Sequence, residues 1–133
     1  MKDIEYEVYT ALATKLRAKF PKIHTSGEYV NMPASFPHVS IVEQDNYAPV
    51  EYLTNDGEET HSHLMYEINV YSNLKSGKKK QAKDIMNVLD REMYNMNFVR
   101  TSLSPVPNRE NTTIYRLVAR YEAVTDGENT YRR

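Results

Sequence analysis

The sequence of 133 residues contains no cysteine and no tryptophan, and only four of its residues are glycine. Without cysteine the chain cannot form disulfides, use a thiolate as a nucleophile or build a cysteine-based zinc site. A reducing compartment suits such a chain. The glycine-rich dinucleotide fingerprint and the phosphate-binding P-loop are both missing, which excludes these two classes of nucleotide site.

Long apolar runs are also missing, since no stretch approaches the roughly 18 to 20 residues of a membrane span. The first residues, Met1 to Glu5, are largely charged where a signal peptide would need apolar side chains. Seventeen basic residues face 18 acidic ones, so the net charge of -1 gives no overall attraction to nucleic acid or to an anionic membrane. We expect a protein that is neither secreted nor membrane-embedded, with any electrostatic function confined to local surfaces.

The length suits one hydrophobic core, and we expect one domain over residues 1–125. Apolar residues at spacings of three and four predict helices at about residues 3–19 and 77–95. Alternating or β-branched segments predict strands at 38–44, 63–72, 98–103 and 113–124, with a short extended piece near 28–32. Residues 126–133 lack apolar periodicity and are predicted to form a flexible tail.

This order of elements predicts an α+β fold. We expect a mixed, mainly antiparallel sheet of four to five strands with both helices packed on one face. The other face, which would carry residues such as Arg116 and Arg120, is then left for solvent or for a neighbouring subunit.

A search for catalytic groups finds little. His61 and His63 form the only close histidine pair in the sequence, and two residues apart on a strand their rings would point the same way, as half of a metal site. No acidic partners are obviously placed beside them, and exposed loop histidines are the simpler interpretation. No nucleophile elbow supports a serine-based triad. We expect no catalytic residues, no bound metal and no cofactor.

Two segments carry opposite charge. The basic cluster, Lys75, Lys78, Lys79, Lys80 and Lys83, lies at the predicted start of the second helix, where it is either a phosphate contact or a solvated surface facing the acidic segment of another copy. The acidic segment, residues 45–62, is either a solvated connection or an arm that becomes ordered on assembly. Tyrosines suit a partly wet interface, although half or more could be packing residues. The candidate subunit-interface residues are Asp56, Glu58, Glu59, Lys78, Lys79, Lys80, Tyr47 and Tyr52.

The chain resembles a known family over about residues 3–124, by pattern rather than by any catalytic motif. The segments that carry the resemblance are the helix ending in Lys19-Phe20-Pro21, the strand entry Phe36-Pro37-His38-Val39-Ser40-Ile41, the strand Tyr66-Glu67-Ile68-Asn69-Val70-Tyr71, the helix from Lys78 to Met93, and the strand Tyr115-Arg116-Leu117-Val118-Ala119-Arg120-Tyr121. In these respects it is similar to the tail terminator and tail completion proteins of long-tailed bacteriophages, often described as minor capsid or neck proteins.

The resemblance implies a structural virion protein of the tail-neck region, assembled in the cytoplasm of the bacterial host. It implies a homo-oligomer, a hexameric ring, that ends the tail tube, contacts the major tail tube protein and meets the head-tail connector proteins. Phage DNA would pass through such a ring without sequence-specific binding, and no membrane partner is implied. Such proteins are not enzymes.

Three alternatives remain open at this point. A head-tail connector or stopper protein would share the ring and the lack of chemistry. A small cytoplasmic α+β enzyme or ligand-binding protein would need a concave pocket with converging polar groups. A nucleic-acid-binding regulator would use the basic cluster and would bind DNA with a strong dependence on salt.

Overall fold

The computed structural model describes residues 3–30, 33–48, 61–107 and 113–131. In chain order its elements are α1 (Glu5–Lys19), β1 (His24–Ser26), β2 (His38–Tyr47), β3 (Ser62–Ser72), α2 (Lys78–Asn95), β4 (Val99–Pro105), β5 (Tyr115–Thr125) and β6 (Thr130–Tyr131). The predicted α+β class is confirmed, with two helices and a mixed open sheet.

The sheet is larger than predicted, because the described residues alone form six strands instead of four to five. Its order is β1-β2-β3-β5-β4, and β6 pairs with β5 beyond this path. All pairs are antiparallel except β1 with β2. The prediction missed β1 and β6 because strands of three and two residues are too short to show an alternation. Of the extended piece expected near residues 28–32, residues 28–30 form no strand and residues 31–32 lie outside the described residues. The strand β1 precedes them at His24–Ser26.

The first helix begins where local hydrogen bonding favours it. The side chain of Asp3 accepts a hydrogen bond from the backbone N–H of Glu5 at 3.0 Å. Acidic residues in the first turn and basic residues in the last turn complement the helix dipole. The helix ends before Phe20, because Pro21 disfavours helical geometry in the residue that precedes it.

The core lies between the two helices and one face of the sheet. Tyr66 of β3 is fully buried, and its ring meets Phe98 edge to face at 5.4 Å between centroids. A single hydrophobic cluster joins side chains from both helices to alternate residues of the central strands, including Val8, Leu12, Leu16, Ile85, Leu89, Leu64, Ile68, Val70, Leu117 and Ala119. Both helices therefore pack against the same sheet face. Among the described residues, no helix is both long enough and apolar enough to cross a bilayer.

The segment after β5 has a defined conformation as far as Tyr131. Asp126 accepts hydrogen bonds from the backbone N–H groups of Glu128 at 2.9 Å and Asn129 at 2.7 Å, and these bonds lower the pKa of its carboxyl. The turn leads into β6 and its pairing with β5. Residues 132–133 lie outside the described residues, and the mobility of the segment 126–133 stays a prediction.

Candidate functional site

The face of the sheet opposite the helices, here called the helix-free face, carries a group of paired charges at its centre. Glu67 of β3 is buried and lies across the β3–β5 pair from Arg120. Its carboxylate is 3.7 Å from the Nε of Arg120 and 3.9 Å from a terminal nitrogen of Arg116. A buried carboxylate is stable only when such partners compensate its lost hydration.

Amide side chains complete this network. Gln44 and Asn69 both donate hydrogen bonds to the carboxylate of Glu67. Asn69, which is fully buried, in turn accepts a hydrogen bond from the Nε of Arg116 at 2.8 Å. Two cations, one anion and two amides therefore satisfy one another on the side of the sheet that no described helix covers.

The backbone of residues 28–30 lies across one end of this network. The carbonyl of Glu28 accepts a hydrogen bond from the hydroxyl of Ser40 at 2.8 Å, and the carbonyl of Val30 accepts one from Tyr71 at 2.6 Å. Burial raises the pKa of Tyr71 to about 12, so the phenol keeps its proton at neutral pH. The guanidinium of Arg116 lies 5.5 Å from the ring centroid of Tyr29, within cation–π range.

Tyr47, a predicted interface residue, lies at the far end of the same face. Its side chain is 44 % exposed, and its ring stacks on His63 with 4.9 Å between centroids. The Nε2 of His63 is 2.7 Å from a carboxylate oxygen of Glu122. Tyr66, Tyr71 and Tyr121 are buried instead, so these three tyrosines pack inside the subunit.

The proposed histidine pair separates in the structure. His63 contacts Glu122, whereas the ring of His61 lies near Tyr131 with 6.2 Å between centroids. Within residues 3–30, 33–48, 61–107 and 113–131, no group of three histidine or acidic side chains is placed to hold a metal ion.

The three predicted interface lysines occupy the first turn of α2 but have different surroundings. Lys78 donates a hydrogen bond to the backbone carbonyl of Thr113 at 3.2 Å, and Lys80 pairs with Asp84 one turn along the helix at 2.8 Å. Lys79 is exposed and lies beside β4. The acidic candidates Asp56, Glu58 and Glu59, together with Tyr52, lie outside the described residues, so their pairing with the lysines stays a prediction.

A surface that the sequence did not indicate lies along β4. Residues 100–105 are all exposed, and among the described strands β4 pairs with β5 alone, along one of its two edges. A groove runs between this strand and α2. The signal in the sequence was weak, because an exposed edge strand without a buried face has no clear alternation.

A second unpredicted feature is the carboxyl of Glu43 on β2. Burial, followed by the nearby charges of Glu5 and Asp3, raises its pKa to about 7. The hydroxyl of Tyr66 lies 3.4 Å from one of its oxygens. The carboxyl groups of Asp3, Glu5 and Glu43 thus lie close enough to repel one another when ionised, and this repulsion disfavours the ionised form of Glu43.

We expect the stability of the domain to fall as the pH rises from about 4.5 to above 7, because the folded state holds a proton on Glu43 that the unfolded chain releases earlier. Glu43→Gln should remove this loss. At pH 8 the variant should be more stable by on the order of 1 kcal/mol, a value reduced for the solvent that screens a partly exposed carboxyl. Urea unfolding at pH 4 and pH 8 measures the free energy of unfolding of the unaltered chain and of the Glu43→Gln variant. Glu7→Gln, at an exposed position, is the control. Equal gains at the two pH values would contradict the assignment.

No protein-family model matches the chain, and no curated protein matches its sequence.

Proposed function

We propose that the chain is a structural subunit of a bacteriophage tail, which assembles as a ring, ends the tail tube and joins it to the head connector. The ring would contain six copies, as in the family that the sequence resembles. Its partners would be further copies of itself, the major tail tube protein and the connector proteins, and its location would be the neck of the virion.

The observation that carries the proposal is the exposed edge strand β4. No described strand pairs with its outer edge, so the backbone N–H and C=O groups there can pair with another chain, and natural monomers usually block such an edge. Pro105 is the last residue of β4, and the pairing of β4 with β5 has one irregularity, between Arg100 and Ser102. Contact between this edge and a different surface of a second copy is heterologous, and repeated heterologous contacts close into a ring when the rotation allows it.

The helix-free face gives further support. Its central charges are paired within the subunit, so a neighbour would not have to compensate an isolated charge there. Tyr29 and Tyr47 are 53 % and 44 % exposed at opposite ends of the network, and tyrosine is enriched at subunit interfaces because it combines apolar area with a polar tip. This face can therefore meet tail tube protein or connector through a polar, partly hydrated contact.

A connector or stopper protein would use the same surfaces. The two roles differ in position, since a terminator binds the end of the tail tube and a stopper binds the portal side. Binding to isolated tail tubes therefore favours the terminator, and binding to tail-free heads favours the stopper.

We expect native mass spectrometry of the purified chain with tail tubes of the same phage to show assemblies of six copies. Negative-stain images should show rings with a central hole at one end of each tube. A chain that stays monomeric and leaves the tubes unbound would contradict the proposal. Isolated rings without tubes would support assembly, and the binding comparison with heads would then decide the position.

A further inference from the structure

The groove between α2 and β4 has the composition of a docking site for a peptide segment. Its volume is about 330 Å³, enough for a few side chains. Its floor is apolar and is formed by Met86, Leu103, Tyr115 and Leu117. Leu103 is 42 % exposed there, so an apolar partner would remove surface from water that this subunit leaves uncovered.

The rim of the groove is basic. Lys79 and Lys83 lie one helical turn apart on α2, and both are exposed. Arg100 lies on the β4 side, where its guanidinium pairs with Asp90 at 3.3 Å. Neither Lys79 nor Lys83 forms an ion pair with any residue that the structure describes. The rim therefore carries uncompensated positive charge beside an apolar floor.

We propose that this groove binds residues 50–59 of the acidic segment of a second copy of the chain. This inference rests on the proposed function in so far as a ring needs a head-to-tail contact. The segment begins with the apolar residues Val50, Tyr52 and Leu53, which suit the floor. It continues with acidic residues, Glu51, Asp56, Glu58 and Glu59, which suit the basic rim.

The topology of the sheet favours a second copy over the chain's own segment. Residues 50–59 follow Tyr47 in the sequence, and Tyr47 pairs with His63 at the start of β3. The groove lies beside Leu117 and Pro105, and Leu117 pairs with Val70 at the opposite end of β3. Two strands, β3 and β5, separate β2 from β4. A neighbour related head to tail would bring its own β2–β3 end to the β4 edge without having to cross β3 and β5.

This placement changes which cations are expected at the interface. Of the three lysines predicted from the sequence, Lys79 lines the groove, whereas Lys78 and Lys80 do not. Lys83 and Arg100 take their place. Exposed ion pairs contribute only about 0.2 to 1 kcal/mol each, so the charges set register and encounter rate while the apolar floor supplies most of the affinity.

Engineered cysteines test the contact cleanly, because the natural chain has none. One chain carries Leu53→Cys and a second carries Leu103→Cys, and the two are mixed under mild oxidation. A matched partner carries Leu74→Cys, since Leu74 is 43 % exposed, as Leu103 is 42 %, and lies outside the groove. We expect the Leu53–Leu103 mixture to form covalent heterodimers at least about tenfold faster than the Leu53–Leu74 mixture. Equal rates would overturn the proposal.

The double variant with Leu53→Cys and Leu103→Cys in one chain distinguishes the two sources of the segment. Covalent oligomers on a denaturing gel support a second copy, whereas a faster-migrating, internally linked monomer shows that the chain's own segment fills the groove and overturns the proposal. Selective cross-linking without rings would support the groove contact and contradict the proposed ring. Rings without selective cross-linking would support the ring and contradict the groove contact.

Charge reversal gives an independent measurement. Lys79→Glu with Lys83→Glu should slow the Leu53–Leu103 cross-link several-fold at low salt, with a smaller effect at high salt where screening removes the attraction. Lys75→Glu with Lys80→Glu makes the same change of charge outside the groove and should leave the rate within about twofold. Similar effects from both pairs of substitutions would show that net charge alone governs the cross-linking rate, and this would contradict specific binding in the groove.

Discussion

Arg116→Met is expected to lower the free energy of unfolding by about 2 to 4 kcal/mol, because it removes two interactions of buried groups. The buried carboxylate of Glu67 loses one of its two cationic partners, and the side-chain oxygen of Asn69 loses its hydrogen-bond donor. The methionine fills much of the volume of the arginine stem, so the loss is mainly electrostatic. Arg120 remains 3.7 Å from Glu67, but its side chain is 53 % exposed, so solvent screens its interaction with the carboxylate.

Urea unfolding measures this loss as a lower midpoint with an unchanged slope. Arg120→Met is the matched control, and we expect it to cost less than about 1 kcal/mol because an exposed pair is well screened. Adding Glu67→Gln to Arg116→Met should recover part of the stability, since the buried negative charge is gone. If Arg116→Met and Arg120→Met cost the same, the network does not depend on buried charge.

The periodicity of the sequence predicted the main elements well. Ile85, Leu89 and Met93 mark α2 at helical spacing, and all three are buried in the core. Tyr66, Ile68 and Val70 mark the core face of β3 by their alternation. These patterns follow directly from which side of an element faces the core, and this information is local to each segment.

The helix-free face could not be predicted in the same way. Glu67 reads as an ordinary solvent-facing strand residue, and its burial depends on Arg116 from a strand 49 residues further along the chain. The backbone carbonyl of Val30, which accepts a hydrogen bond from Tyr71, lies 41 residues before that tyrosine in the sequence. Such contacts depend on the pairing register of β2, β3 and β5, including the irregularity between Glu43 and Asp45. No single segment carries that information.

The groove was missed for a related reason. The sequence placed Lys79 in a basic cluster with Lys78 and Lys80, and charge alone does not say which lysine lies beside an apolar surface. Leu103 belongs to a strand whose side chains are nearly all exposed. The sequence of this strand therefore shows no alternation between a buried and an exposed face. Only the arrangement of α2 beside β4 brings Lys79, Lys83 and Leu103 together.

Deleting residues 51–59 is expected to abolish ring assembly and to leave the isolated domain folded. The deletion shortens the connection between Tyr47 and Ser62 from 14 residues to five, a usual length for joining neighbouring strands. Loop-closure entropy changes by about 0.6 kcal/mol for each doubling of length, so the monomer should gain roughly 1 kcal/mol in free energy of unfolding. Assembly should fail because the groove of the neighbouring copy loses its acidic and apolar occupant.

Urea unfolding measures the stability of the deletion variant, and native mass spectrometry measures its assembly. A variant with nine glycine and serine residues in place of 51–59 controls for length. Assembly by that control would show that the side chains of the segment are dispensable, and an unfolded deletion variant would place the segment in the core instead of at the subunit interface.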